Sequence, residues 1–279
     1  MISAPLKWVG GKAQIMDKVL ASLPMVIDEY HEPFVGGGSV LIALLQSGRF
    51  TPNAHIYASD VNVTLISIYN HIKTNVDALC ASLKELEEAY YDADDKEALY
   101  YEVRKSYNEM TDRTTIEASS AFIFMNKTGF RGICRYGPNG FNVPFGNYKA
   151  PSIYNESNLR DLSRLFERVT FRCCSWEVAV ESASGVVYLD PPYVPEKKNG
   201  FVGYVLAGFD TNTQNRLFNW VINNGAKVHV AMSNNAVPSL IEMFTPTGLN
   251  IHRFSAKRSI NSKDPSAKTD EVIISTPIV

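Results

Sequence analysis

The feature that most constrains the fold is a run of alternating elements near the N-terminus. His31 to Val35 reads as a short strand running into Gly36-Gly37-Gly38, Val40 to Leu45 as a buried helix, and Ile56 to Ser59 as a second strand ending at Asp60. Strand, glycine turn, helix, strand, acid is how a doubly wound α/β sheet begins, and such sheets bind ligands beyond the carboxyl ends of their strands. Just upstream, Ile15, Met16, Val19, Leu20 and Leu23 recur at helical spacing, and Pro24 closes that segment.

The alternation then stops. Leu79, Leu83, Leu86 and Tyr90 mark an acidic amphipathic helix, Ile116 to Met125 a more apolar one, and Leu159, Leu162, Leu165 and Phe166 a third. Lys127 to Lys149 is rich in Gly, Asn, Arg and aromatic residues and reads as a loop or hairpin. Val186 to Leu189 is again a continuous apolar strand, as expected where both sheet faces are covered. Leu217 to Ile222 predicts a helix that Gly225 can end, and Lys227 to Met232 and Glu271 to Ser275 predict further strands. The expected fold is therefore α/β, a doubly wound Rossmann-like sheet split in sequence. Residues 1–62 and 168–279 would form the ligand-binding catalytic domain, and residues 63–167 a mainly helical insertion.

Within 279 residues no apolar run approaches the roughly 18 needed for a membrane span. Met1 to Lys12 lacks the apolar stretch of a secretory signal, which predicts an intracellular, cytoplasmic protein. Cys80, Cys134, Cys173 and Cys174 form no CxxC pair, so no metal site is expected. The net charge of −2 hides an uneven distribution. Acids dominate from Asp77 to Glu102 but are absent from Ala118 to Asn155, where Lys127, Arg131, Arg135 and Lys149 lie. A second basic stretch holds Arg253, Lys257, Arg258, Lys263 and Lys268. These are either basic faces for nucleic acid or two solvated loops.

Three boxes carry candidate chemistry. Glu32-Pro33-Phe34-Val35-Gly36-Gly37-Gly38 lets backbone approach a ligand closely, and Asp60, 24 residues after Gly36, could accept hydrogen bonds from ribose hydroxyls. The plain alternative is a tight turn. Asp190-Pro191-Pro192-Tyr193 follows an apolar strand; its prolines remove two backbone donors, leaving carbonyls and a carboxylate as acceptors. Bonds from an aromatic amino group to Asp190 and the carbonyl of Pro191 would localise the nitrogen lone pair, and Tyr193 can stack on a base flipped out of its duplex. In Lys7-Trp8-Val9-Gly10-Gly11-Lys12, Lys12 could neutralise a ligand carboxylate and Trp8 face a sulfonium; the alternative is a buried Trp and a surface Lys. Between Asn126 and Lys149, Arg131 and Arg135 could read a guanine edge, with Tyr136, Phe141 and Tyr148 beside them, or the segment could be a loop packed on its own aromatics.

Together these boxes resemble the Dam family of adenine methyltransferases (D12 class, alpha-type order): KWxGGK, then EPFxGGG, then a recognition insertion, then DPPY. The insertion Asn126-Lys127-Thr128-Gly129-Phe130-Arg131-Gly132-Ile133-Cys134-Arg135-Tyr136, followed by Phe141 to Lys149, is also similar, as are Arg258-Ser259-Ile260 and Asp270-Glu271. The resemblance implies methyl transfer from S-adenosylmethionine to N6 of a flipped adenine in double-stranded DNA, with GATC as target; the protein is expected to be a monomer. It gives Trp8, Gly11, Lys12, Phe34, Gly36, Gly37, Gly38, Asp60, Trp176 and Asp190 to S-adenosylmethionine, and Asp190, Pro191, Pro192 and Tyr193 to the adenine. Lys7, Ile133, Arg135 and Pro144 match the positions that read the site, and Lys127, Arg131, Asn147 and Tyr148 also fall to DNA. Two departures stand out: Arg131 replaces an Asn beside the flipped base, and Asn147 replaces an Arg expected against a phosphate. A cytosine-N4 methylator and a catalytically silent DNA-binding relative remain open alternatives, and a restriction-modification role is compatible.

Overall fold

The computed structural model describes residues 2–194, 209–257 and 268–278. The chain forms two compact units: one of Met1–Val9, Gly36–Gly38 and Asp60–Cys173, the other of Gly10–Val35, Ser39–Ser59 and Cys174–Val279. The basic positions Arg258 and Lys263, and the segment Arg258-Ser259-Ile260, lie outside the described residues.

The second unit opens with α1 (Met16–Ala21), β1 (Ile27–Glu32), α2 (Ser39–Gln46) and β2 (Phe50–Asp60). β1 ends where Pro33 begins, because proline cannot donate to a sheet ladder; the strand expected at His31 to Val35 therefore lies four residues earlier, at Ile27. α2 buries Val40, Leu41, Ile42 and Leu44, which explains its almost wholly apolar sequence. β2 begins at Phe50, not Ile56, since its first half is partly exposed and lacks an apolar signature.

The chain then builds the other unit: α3 (Val63–Thr74), α4 (Val76–Asp92), α5 (Lys96–Glu109), α6 (Ile116–Thr128), the two-residue strands β3 (Tyr136–Gly137) and β4 (Gly140–Phe141), α7 (Glu156–Leu165) and β5 (Val169–Cys173). Asn62, Asp95, Thr115 and Asn155 cap α3, α5, α6 and α7 by accepting first-turn N–H groups. α6 packs against α3, α4 and α5 and is buried along nearly its whole length, so it carries almost no amphipathic pattern.

Back in the second unit come α8 (Trp176–Val180), β6 (Val186–Leu189), α9 (Thr211–Asn224), β7 (His229–Asn235), α10 (Pro238–Phe244), β8 (Asn250–Lys257) and β9 (Lys268–Ser275). Its strands run in the order β2-β1-β6-β7-β9-β8. The first four are mutually parallel, and β9 and β8 join antiparallel. All four residues of β6 are buried, as the continuous apolar run predicts. β8 had read only as part of a basic stretch; it ends this strand order, where half-exposed polar residues hide the strand signal. Leu217, Val221, Val230, Met232, Leu240, Phe244 and Val272 pack with Val187 and Leu189 into one core beside β6.

Candidate active site

β6 delivers Asp190 at its carboxyl end, and in the second unit that carboxylate meets Lys12. The Lys12 ammonium donates to Asp190 Oδ2 at 2.5 Å and to the carbonyl of Gly10 at 2.6 Å. Lys12 is only 4% exposed, which overturns the reading of a surface lysine. It does not open a regular helix: a single 3-10 turn, Lys12–Gln14, precedes α1, and Lys12 is buried in that turn. Asp190 Oδ1 is shielded from water and has no hydrogen-bond partner among the described residues. Burial raises the Asp190 pKa, against the opposing pull of Lys12 and the Tyr193 hydroxyl.

Around this pair stand Tyr30, Tyr188, Gln214, Ser233, Asn234 and Asn235, which sequence reasoning did not single out, beside residues that it did. Glu32, 2% exposed, accepts from the Tyr30 hydroxyl at 2.7 Å. Burial pushes its carboxyl up to about 8, Asp190 adds to the rise, and Tyr30 and Lys12 oppose it. Tyr188 and Ser233 share a hydroxyl bond of 2.8 Å. Tyr193 donates to Glu271 at 3.4 Å, and the Lys12 ammonium lies 5.1 Å from the Tyr193 ring centre. Burial also raises the Glu271 pKa. One ammonium thus serves three carboxylates. Gln214 Nε2 donates to the carbonyl of Pro192, and Asn234 and Asn235 hold the backbone of Val194, so the segment after Asp190 is tied down on both sides. Trp176 is buried at the start of α8 with its Nε1 unpartnered among the described residues, and Phe34 meets Phe209 edge-on at 5.7 Å.

In the first unit the glycine turn is shaped by its neighbours. Gly36 and Gly38 have φ of +46° and +74°, which suits glycine. A Cβ on Gly36 would lie 2.7 Å from Trp8 Nε1, and one on Gly37 2.6 Å from Trp8 Cβ. Asp60 Oδ2 accepts the Gly36 N–H at 3.2 Å and Oδ1 the Asn62 N–H at 3.0 Å. Tyr69 donates to the carbonyl of Gly36 at 2.6 Å. Asp60 therefore ties the turn to the start of α3, a structural task its spacing did not reveal, and burial raises its pKa.

The Asn126 to Lys149 segment, also in this unit, is no loop packed only on itself. Asn126 grips Lys7 from both sides: Oδ1 accepts the Lys7 N–H and Nδ2 donates to the Lys7 carbonyl, each at 2.8 Å. The Lys7 ammonium donates to the carbonyl of Lys127 at 3.2 Å and sits 4.4 Å from the Tyr148 ring centre. Burial and the Lys7 charge push the Lys127 ammonium down to about 8. Tyr100 and Arg104 on α5 both donate to the carbonyl of Val143 at 2.9 Å. Arg135 is held by Asn142, through Nε to Oδ1 at 2.7 Å and Nη2 to the carbonyl at 3.0 Å. Ile133 is half-buried and Pro144 exposed. Arg131 (φ 56°) and Asn147 (φ 49°) both occupy the left-handed region, and the Arg131 N–H is held by Tyr148 Oη at 2.8 Å. Asn tolerates that conformation better than Arg, which gives its presence at 147 a backbone reason.

A doubly wound sheet whose central parallel strand ends in a half-buried acid, with one carboxylate oxygen unmatched among the described residues, and two prolines defines a Rossmann-like methyltransferase. Residues 8–260 match the D12 class N6 adenine-specific DNA methyltransferase family, and the chain belongs to it. It is 36% identical to the type II methyltransferase M.MjaIII of Methanocaldococcus jannaschii over 94% of each chain. It is 31% identical to the retron Ec67 DNA adenine methylase of Escherichia coli, over 98% of this chain and 90% of that one. With the DNA adenine methylase of Haemophilus influenzae it shares 32% identity, over 96% of this chain and 91% of the other. Membership in an adenine-specific family decides between the adenine and cytosine alternatives that the residues left open. No helix among the described residues is long and apolar enough to cross a membrane.

Proposed function

We propose that this chain transfers a methyl group from S-adenosylmethionine to N6 of a flipped adenine in double-stranded DNA, within GATC. The observation that carries the chemistry is Asp190: one oxygen bound by Lys12, the other shielded from water and without a donor among the described residues. A buried acceptor left unpaired costs about 1–3 kcal/mol, a cost relieved when a donor arrives. The amino group of adenine is such a donor. Asp190 and the carbonyl of Pro191 would accept hydrogen bonds from its two N–H groups and localise the lone pair on nitrogen, Pro192 would stiffen the segment, and the Tyr193 ring would stack on the base.

S-adenosylmethionine supplies a methyl group made electrophilic by its sulfonium. The residues fit such a donor. In the first unit, Trp8 packs against a turn of three glycines, Gly36, Gly37 and Gly38, with Asp60 accepting from it. In the second, Gly11, Lys12, Phe34, Trp176 and Asp190 are the matching positions, and Trp176 Nε1 is a donor without an acceptor among the described residues. For the target, Lys7, Ile133, Arg135 and Pro144 would read GATC, supported by the positioning of Lys7 by Asn126 and of Arg135 by Asn142. Lys127, Arg131, Asn147 and Tyr148 would meet the flanks and backbone. The helical insertion of residues 63–167 would serve as the recognition domain, and residues 1–62 and 168–279 as the catalytic one, in a monomer.

Sequencing of modified adenines in DNA from cells expressing the protein tests the target, with methylation expected at GATC; modification at other sites would end the GATC assignment but not the chemistry. Asp190→Ala is expected to abolish methyl transfer while DNA binding persists. Unchanged transfer would defeat the role given to Asp190, and transfer absent from the native protein itself would favour a catalytically silent relative.

A further inference from the structure

Lys7 and Arg131 are exposed cations from distant segments of the chain, and one side chain, Tyr148, touches both. The Lys7 stem lies against Gly132: a Cβ on that glycine would stand 2.5 Å from Lys7 Cβ and 2.6 Å from Lys7 Cδ. The Asn126 amide that holds the Lys7 backbone also donates to the Gly132 carbonyl, at 3.1 Å. Beyond that point the Lys7 ammonium sits over the Tyr148 ring, 4.4 Å from its centre, where the face of an aromatic attracts a cation. The hydroxyl of the same ring accepts the Arg131 N–H at 2.8 Å. Arg131, at φ 56° and ψ 12°, and Gly132, at φ 60°, are successive left-handed residues, and only the glycine suits that conformation. The Gly132 N–H closes the turn onto the carbonyl of Gly129 at 3.2 Å, and the Phe130 N–H goes to the carbonyl of Pro144 at 2.8 Å. The Arg131 N–H between them is the one that Tyr148 takes.

The ring is held in turn. Gly146 lies so close to its edge that a Cβ there would stand 2.5 Å from Tyr148 Cε2, and the Gly146 N–H is bonded to the carbonyl of Thr128 at 2.9 Å. The carbonyl of Tyr148 accepts from the Tyr90 hydroxyl at 3.4 Å. We propose that Tyr148 is a positioning residue of the recognition surface: its ring seats the Lys7 ammonium and its hydroxyl holds the Arg131 turn, so that two cations from different segments meet the DNA in one fixed arrangement. This rests on the reading above that places Lys7 and Arg131 on DNA. Fixing both before binding lowers the ordering cost of the complex. A neutral aromatic ring and hydroxyl do so without cancelling either charge, which a carboxylate at 148 would do.

The test measures methyl transfer from S-adenosylmethionine to a GATC duplex and to each of its single-base variants. Tyr148→Phe keeps the ring and loses the hydroxyl. It is expected to lower kcat/KM on GATC roughly threefold to tenfold while keeping native discrimination at the base pair that Lys7→Ala relaxes. Tyr148→Leu loses the ring as well and is expected to relax that same base pair. Glycine adopts the left-handed conformation unaided, so in an Arg131→Gly protein the further change Tyr148→Phe should cost less than about twofold. An undiminished cost in that background would overturn the proposal in favour of a hydroxyl that acts on the DNA directly, and native discrimination in Tyr148→Leu would also overturn it. If Tyr148→Leu does not fold, the cycle with Arg131→Gly decides alone. A Lys7→Ala enzyme with native discrimination at every base pair would strike the DNA reading itself, a failure distinct from that of Tyr148.

Discussion

At the scale of single residues, the region around Asp190 shows how burial and a scarce cation divide labour among carboxylates. Lys12 bonds directly to Asp190, while Glu32 and Glu271 face the same ammonium more remotely. Glu32 is pushed up to about 8, because its burial is nearly complete and its bonding partner is a neutral hydroxyl. The sign of its effect on stability follows. A carboxyl whose pKa is raised by folding binds its proton more tightly in the native state, so between about 4.5, its ordinary value, and about 8 the native protein holds the extra proton and stability falls as pH rises. The loss approaches about 1.4 kcal/mol per pH unit at most. Glu32→Gln carries no such titration. Chemical unfolding of both proteins at pH 5.5, 7 and 8.5 should show the variant gaining on the native protein as pH rises; parallel stabilities would mean that Glu32 is ionised at little cost.

At the scale of elements, the glycine turn is a joint between backbone geometry and one aromatic ring. Gly36 needs glycine twice, for its φ of +46° and for the Trp8 ring 2.7 Å from where a Cβ would stand. Gly48 needs it once: φ is +73°, and nothing lies within 4 Å. Alanine at 48 should cost about 1–2 kcal/mol, the backbone term alone. Alanine at 36 adds an overpacking cost of typically 1–3 kcal/mol, because Trp8 must shift. Thermal unfolding of the two variants measures the difference, and equal losses would show that Trp8 yields freely. The same comparison shows why the sequence disclosed the turn but not its purpose: Gly36, Gly37 and Gly38 announce a tight turn, whereas the Trp8 ring that fills the space beside it is 28 residues away in sequence.

At the scale of the whole molecule, a chain of net charge −2 must bind a polyanion with local charge. Lys127 is a sharp instance, because burial and Lys7 hold its ammonium near 8, charged below that pH and increasingly neutral above it. If Lys127 meets a phosphate, Lys127→Gln should reduce the slope of log affinity against log salt by about 0.9 at pH 7. The native slope should also fall toward that of the variant as pH rises to 9. Slopes that coincide at pH 7 would remove Lys127 from the contact surface. Binding of the methyl donor is a second global readout: a hundredfold excess over Kd should stabilise the protein by about 2.7 kcal/mol, measured as a rise in Tm, and no rise would count against the donor.

Much of this protein was legible in the residues. The parallel strand β6, the buried helix α2, the interruption by helices and the DPPY box follow from periodicity and from proline and glycine chemistry, which act over a few residues. Strand β8 was not legible, because its position at the end of the strand order leaves it half-exposed and without apolar alternation. Nor was the start of β2. Within the candidate site, the sequence by itself singled out Asp190, the Gly36 to Gly38 turn and the basic segment from Asn126 to Lys149. Only the tertiary structure decided that Lys12 turns inward to Asp190, that Asn126 holds Lys7 from 119 residues away, and that Asp190 Oδ1 is left without a donor among the described residues. The reason is physical: hydrogen bonding and burial are satisfied between residues distant in the chain, and whether a buried group finds its partner is settled only when the strands and helices that carry it have packed.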